Sequence, residues 1–141
     1  MYTREWTIRF GDVDMFQIGF YPRLMSEVRR TTERFMESLG YPFRELIDEQ
    51  KLGLPIIEAG IEFENPVVAG DTLTLTVTPT VGETSLRFEI EARHADGTTA
   101  FTAFEQRVCL PVGGDETVPL PEDVRRVLGG SRNESTDGNE R

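Results

Sequence analysis

Apolar residues recur at steps of three and four between Pro22 and Gly40, whereas most of the remaining chain alternates apolar and polar positions. The first spacing places one stripe along about four helical turns. The stripe consists of Met25, Val28, Thr32, Phe35, Met36 and Leu39. Proline suits the first turn of a helix and glycine the residue after its end, so the pattern predicts one long helix with a single core-facing side.

The alternating positions predict five strands, each with one apolar and one polar face. They cover residues 3–10, 57–64, 72–80, 86–93 and 100–110. In the last of these the apolar series includes Ala100, Phe104 and Val108. One-sided strands are typical of an antiparallel sheet covered on one face. We therefore expect an α+β domain in which a curved five-stranded antiparallel sheet wraps around the long central helix.

Two shorter helices and a tail complete this outline. Phe43, Leu46 and Ile47 indicate a short helix, and residues 121–128 indicate another. Residues 129–141 lack apolar side chains, which predicts a disordered acidic, polar tail after a folded domain at 1–128.

Composition narrows the class of protein. The 141 residues fit one domain with a real core. The 25 acidic and 15 basic residues give a formal charge of −10, which argues against binding to nucleic acid or to an anionic membrane. Lys51 is the only lysine among the 15 basic residues, and the others are arginines. This preference for arginine, together with the surplus of acidic residues, suggests a halophilic protein. The absence of a long apolar run and of a signal segment predicts a cytoplasmic location.

Several sequence motifs resemble a known family. The segment 8–14 holds two aspartates, Asp12 and Asp14, and is followed by Phe20-Tyr21-Pro22 and the long helix. Residues 66–73 then read Pro-Val-x-x-Gly-Asp-x-Leu. A strand, an aspartate loop, a long helix and an antiparallel run resemble the hotdog fold. Over residues 4–128 the motifs resemble the 4-hydroxybenzoyl-CoA thioesterase family of acyl-CoA thioesterases.

The resemblance implies roles for two residues of the loop. Asp14 matches the catalytic carboxylate of the family, and Tyr21 matches the residue whose backbone N–H polarises the thioester carbonyl. A helix start offers unpaired N–H groups to a developing oxyanion, and a carboxylate can act as nucleophile or as general base. We expect Asp12 to support the loop by hydrogen bonds rather than to take part in the chemistry.

The expected reaction is hydrolysis of an acyl- or aroyl-CoA thioester to the free acid and CoA. Phe16, Gln17 and Phe20 are predicted substrate contacts, and Arg87 and Arg93 are candidates for the CoA phosphates. No cofactor is expected. One histidine and one cysteine cannot form a metal ligand set, so no metal is expected either. The resemblance also implies a homodimer or a dimer of dimers, with the site across the dimer interface.

Two other functions stay open. Met15-Phe16-Gln17 stands where the family has small residues, which allows a non-catalytic acyl-CoA binding module. A hotdog hydratase or dehydratase would pair a histidine with a carboxylate, but the only histidine, His94, lies beside the 95–97 turn and is expected to face solvent. Weaker alternatives to Asp14 are Glu27, Glu33, Glu58 and Glu62.

Overall fold

The long helix predicted from the three-and-four spacing is α1, Tyr21–Ser38, in the computed structural model, which describes residues 2–139 and the side chains of residues 2–130. Pro22 lies in its first turn. After its end Gly40 has φ +87°, and the Tyr41 N–H donates to the Met36 carbonyl at 3.0 Å. This left-handed glycine turns the chain away from the helix axis. The buried residues of α1 are Leu24, Glu27, Val28, Thr31, Thr32, Phe35 and Met36.

Five strands form one antiparallel sheet in the order β1-β4-β5-β6-β3. Their bounds are β1 Tyr2–Thr7, β3 Ile56–Phe63, β4 Thr72–Val81, β5 Ser85–Arg93 and β6 Thr99–Val108. β1 is shorter than predicted because a 3-10 turn, Phe10–Asp12, follows it and leads into the loop before α1. Because β1 and β3 lie at the two edges of the sheet, each has one side that no strand of the described residues pairs with.

Some short elements have no counterpart in the prediction. β2, Leu52–Gly53, pairs antiparallel with β7, Leu110–Pro111. The short helix predicted near Ile47 is α2, Phe43–Gln50, and it ends at Lys51, which has φ +57°. Two-residue strands have too few positions to show alternation, so the sequence pattern does not reveal them.

The core lies between α1 and one face of the sheet. The ring of Phe35 on α1 packs edge-on against Phe88 of β5, with the centroids 5.8 Å apart. On β6 the predicted apolar series is wrong except at Ala100: Phe104 and Val108 are half-buried, and the buried positions include Phe101, Glu105 and Arg107. The two charged residues are accommodated because they pair with each other.

The third helix, α3, spans Glu122–Asn139, packs against β4 and buries Val124 and Leu128. It begins where the sequence predicted a short helix and runs beyond the predicted end at Leu128. Residues 140 and 141, and the side chains after residue 130, lie outside the described part, so the proposed division at residue 128 stays a prediction. No helix of the described residues has the length and apolar character needed to cross a membrane.

Candidate active site

The loop between β1 and α1 folds back on itself. Residues 12–14 and 18–20 lie antiparallel, and the Asp14 N–H donates to the Ile18 carbonyl at 2.9 Å. At the far end Gln17 takes φ +64°, the left-handed conformation that a tight reversal requires. This antiparallel pairing therefore places Asp14 opposite Ile18, which precedes the start of α1 by three residues.

The Asp14 carboxylate is held by one of its oxygens. Its Oδ1 accepts the Phe16 N–H at 2.8 Å and the Ile18 N–H at 3.4 Å. No group among the described residues donates to Oδ2. The half-buried side chain thus shapes the turn with one oxygen and leaves the other for a substrate or a water molecule.

The first turn of α1 has one free backbone donor. The N–H groups of Arg23 and Leu24 donate to the Phe20 carbonyl at 2.9 and 3.1 Å, and Pro22 has no N–H. Phe20 gives no side-chain cap. The Tyr21 N–H has no acceptor within the described residues, and it lies at the positive end of the helix dipole.

These two groups define what the loop can do chemically. A free carboxylate oxygen can attack a carbonyl or activate a water molecule. A free N–H at a helix start can stabilise the negative charge that develops on the carbonyl oxygen. Together they match the requirements of ester or thioester hydrolysis.

The side chain of Asp12 connects the 3-10 turn before the loop with the first turn of α1 after it. The side chain is 8% exposed, its Oδ2 accepts the Arg9 N–H at 2.9 Å, and its Oδ1 accepts two N–H groups of Arg23 at 3.3 Å. Arg23 belongs to the first turn of α1, so this carboxylate ties the 3-10 turn to the helix start. The pairing with Arg23 was not predicted from the sequence, because nothing local links positions 12 and 23.

Apolar side chains surround the loop. Phe16 and Phe20 are 76% and 45% exposed, and a cavity of about 310 Å³ is lined in part by Ile18 and Gly19 of the same loop and by Phe63 of β3. A Cβ on Gly19 would lie 3.0 Å from Leu24 Cδ1, so glycine permits the loop to pack closely on α1. The predicted substrate contacts Phe16, Gln17 and Phe20 belong to the same loop as Asp14 but are not among the residues that line this cavity.

The structure does not bring the two candidate arginines together. Arg87 and Arg93 lie on the outer face of β5, six residues and about 20 Å apart. Arg93 pairs with Glu91 at 2.8 Å. Arg87 lies 3.4 Å from Glu89, and its Cζ is 4.1 Å from the ring centroid of Phe104. Each arginine is therefore paired with a glutamate of its own strand.

Other titratable residues lie outside the loop. His94 was expected to face solvent, but its side chain is only 18% exposed, and its Nδ1 lies 3.8 Å from Asp71 Oδ2. Cys109 is fully buried, and burial raises the pKa of its thiol. Glu27, an alternative carboxylate, is committed to Arg4 at 2.6 Å. Within the described residues no three His, Cys, Asp or Glu side chains are grouped as metal ligands would be.

Comparison with known proteins adds independent information. The family model described as the Thioesterase-like superfamily matches residues 8–128. The 1,4-dihydroxy-2-naphthoyl-CoA hydrolase of Thermosynechococcus vestitus is 28% identical over 133 residues, 93% of this chain and 90% of that protein. The enzyme of the same name from Synechococcus elongatus is 29% identical over 129 residues, 90% of this chain and 94% of that protein.

Solved structures show the same architecture. A gentisyl-coenzyme A thioesterase has a TM-score of 0.78 and 27% identity, covering 90% of this chain and 99% of its own. A 1,4-dihydroxy-2-naphthoyl-CoA thioesterase from Synechocystis has a TM-score of 0.82 at 20% identity, covering 90% of this chain and 94% of its own, which bears on the fold alone. The predicted hotdog fold and the predicted class of thioester hydrolase are confirmed at this level, and the chain belongs to the thioesterase-like superfamily.

Proposed function

We propose that this protein hydrolyses an acyl- or aroyl-CoA thioester to the free acid and CoA, with the site layout of the 4-hydroxybenzoyl-CoA thioesterase family. Asp14 is the catalytic carboxylate, and the Tyr21 N–H is the oxyanion donor. The observation that carries this proposal is a pair of groups without a partner among the described residues, Asp14 Oδ2 in the loop and the Tyr21 N–H at the start of α1.

The reaction needs only these groups and water. Asp14 either attacks the thioester carbon itself or takes a proton from a water molecule that attacks. The carbonyl oxygen becomes negative and accepts the Tyr21 N–H, and the C–S bond then breaks. The CoA thiolate takes a proton, and in the nucleophilic route water hydrolyses the acyl-aspartate. Both routes end with free acid, CoA and a carboxylate at position 14.

We propose a hydroxylated aromatic acyl group as the substrate class. The relatives are named for 1,4-dihydroxy-2-naphthoyl-CoA and for gentisyl-CoA, whose acyl groups are both hydroxylated aromatics. The exposed rings of Phe16 and Phe20, together with Gln17, are positioned to contact such a group beside the thioester. Arg87 and Arg93 remain candidates for the CoA phosphates, which would have to replace their present carboxylate partners.

We also propose a homodimer, alone or as a dimer of dimers, formed along the edge strand β3. In that strand Ile57 is 61% and Phe63 is 49% exposed, and one side of its backbone pairs with no strand in the part of the chain that the structure describes. An apolar open edge is commonly covered by a second copy. We also keep a cytoplasmic location and adaptation to high salt as predictions, the second from the acidic surplus and the single lysine.

Thiol release from a panel of aromatic and aliphatic acyl-CoAs, measured at molar salt, tests the proposal. Asp14→Asn keeps the oxygen that accepts the Phe16 and Ile18 N–H groups, so the loop should keep its shape. We expect turnover of at least one hydroxylated aroyl-CoA and a loss of about a hundredfold or more in kcat for Asp14→Asn. Asp48→Asn, an exposed carboxylate on α2, is the matched control and should leave turnover unchanged.

Two results would contradict the proposal in different ways. If the wild type binds CoA esters and hydrolyses none, the protein is a binding module, as the bulky Met15 and Phe16 would allow. If Asp14→Asn hydrolyses as fast as the wild type, another carboxylate does the chemistry.

A further inference from the structure

The segment 66–73 carries one of the sequence motifs, yet none of its atoms takes part in the proposed chemistry. Within it residues 68–71 form a turn in which Gly70 has φ +97°. Two hydrogen bonds close this turn. The Asp71 N–H donates to the Val68 carbonyl at 3.1 Å, and Asp71 Oδ2 accepts the Val68 N–H at 2.9 Å. Asp71 therefore fixes the shape of the turn with its side chain as well as with its backbone.

This turn pairs directly with the loop that carries Asp14. The Gly19 N–H donates to the Val67 carbonyl at 2.7 Å. Beside it Ile18 pairs antiparallel with Val68, and the Ile18 carbonyl also accepts the Asp14 N–H at 2.9 Å. The segment that contains Ile18 and Gly19 thus has Asp14 on one side and the turn on the other. A displacement of the turn is therefore passed on to the residues that hold Asp14.

His94 approaches the same carboxylate oxygen from the turn between β5 and β6. Its Nδ1 lies 3.8 Å from Asp71 Oδ2, and the two side chains are 18% and 28% exposed. An imidazole ordinarily changes its charge between pH 5 and 8, and the protonated ring would form an ion pair with Asp71. Arg93 and Asp96, the charged side chains beside His94 in its own hairpin, are bonded to other residues. Asp71 is therefore the carboxylate that a charged His94 would stabilise.

We propose that Asp71 is a positioning residue for the hydrolysis: it closes the turn that holds the loop segment in register with Asp14, and protonated His94 strengthens this hold. Asp71 contacts no reacting atom and acts through the backbone pairs of Ile18 and Gly19. The inference rests on the proposed thioesterase function, and it gives a turn outside the loop a part in the reaction.

Steady-state kinetics separate positioning from a general loss of stability. Asp71→Ala removes the acceptor of the Val68 N–H, and since the loop then shifts, kcat should fall by roughly tenfold or more with a smaller change in KM. Asp71→Asn keeps an acceptor oxygen and should retain most of the wild-type kcat. Asp96→Ala is the matched control: Asp96 also accepts a backbone N–H, that of Thr98, at 2.9 Å, but no hydrogen bond among the described residues joins its turn to the loop. Its kcat should not change.

Hydrogen exchange, followed by NMR, tests the same contact without a substrate. The Gly19 N–H donates to the turn, so it reports whether the loop segment opens. Its protection should be about tenfold lower in Asp71→Ala than in the wild type, the size expected for a lost hydrogen bond to a carboxylate. Asp96→Ala should leave the protection of Gly19 unchanged.

The same amide tests the role of His94. His94→Gln leaves both hydrogen bonds of the turn in place and removes only the ionisable ring. Compared with the wild type at the same pH, protection of the Gly19 N–H should be about two- to fivefold lower at pH 5.5 and equal at pH 8. Asp71→Asn removes the other charge and should show the same loss at pH 5.5. A loss that does not depend on pH would overturn the role of His94.

Failure of this inference can be told apart from failure of the proposed function. If Asp71→Ala lowers the protection of Gly19 but the wild type hydrolyses no CoA ester, the thioesterase function is refuted and the contact between turn and loop stands. If the wild type is active and Asp71→Ala keeps its kcat, or protects Gly19 as well as Asp96→Ala does, Asp71 is not a positioning residue. Should Asp71→Ala not fold, His94→Gln and Asp71→Asn at pH 5.5 decide, since both keep the turn closed, and unchanged protection in both would overturn the proposal.

Discussion

The buried carboxylate of Asp12 offers a direct test of how the catalytic loop is positioned. It accepts the Arg9 N–H at 2.9 Å and two N–H groups of Arg23 at 3.3 Å, so one side chain joins the 3-10 turn to α1. We expect its replacement to loosen both the loop and the helix start, although Asp12 contributes no atom to the proposed reaction.

The size of the effect follows from the two contacts. A backbone N–H donating to a buried carboxylate contributes about 1.5–3 kcal/mol, which Asp12→Ala would lose. The pair with Arg23 adds only about 0–1 kcal/mol, because the arginine side chain is 52% exposed. Asp12→Ala should therefore lower the free energy of unfolding by about 1.5–4 kcal/mol. Asp12→Asn keeps an acceptor for the Arg9 N–H and should cost about 1 kcal/mol.

Urea unfolding and steady-state kinetics on the same variants would test this reasoning. Because misplacement of the loop disturbs the reacting geometry, kcat of Asp12→Ala should fall by roughly tenfold to a hundredfold with a smaller change in KM. Asp48→Asn, in an exposed pair on α2, should stay within about 0.5 kcal/mol of the wild type. If Asp12→Ala unfolds like that control and keeps its kcat, this carboxylate does not position the loop.

Three further predictions concern groups outside the loop. The Tyr41 hydroxyl donates to Asp123 at 2.9 Å, and this bond, burial and the negative charge of Asp123 raise the pKa of Tyr41. The hydroxyl should therefore add stability, relative to Tyr41→Phe, that is complete below about pH 10 and is lost as the pH rises through the raised pKa. Thermal unfolding of both proteins across this pH range would show the difference. Burial raises the pKa of Cys109, so iodoacetamide should label it slowly in the native protein and quickly in urea, as mass spectrometry would show. Arg107→Met should cost about 3–5 kcal/mol in urea unfolding because Glu105 is left buried and unpaired, whereas the double change Glu105→Gln/Arg107→Met should cost much less. Equal losses for the single and double variants would contradict the last prediction.

The sequence predicts the elements of this fold well where periodicity runs long enough. The helix α1 and the five strands of the sheet each repeat their pattern over several residues, so their type and order can be read directly. The sequence also predicts the Asp14 loop and the helix start at Tyr21, because both lie within one short motif. Contacts between distant positions, such as Asp12 with Arg23, leave no local pattern.

Strand β6 shows where hydrophobic alternation fails. Both of its faces carry apolar and polar residues, and charge alone argues that the face with Glu105 and Arg107 points to water. The structure buries that face because Arg107 bonds to Glu105 and to the Leu54 carbonyl, so that each charge has a partner. An ion pair of this kind often adds little stability compared with an apolar pair of the same shape. Whether a charged residue of a strand is buried therefore depends on partners elsewhere in the fold, and alternation along one strand carries no sign of them.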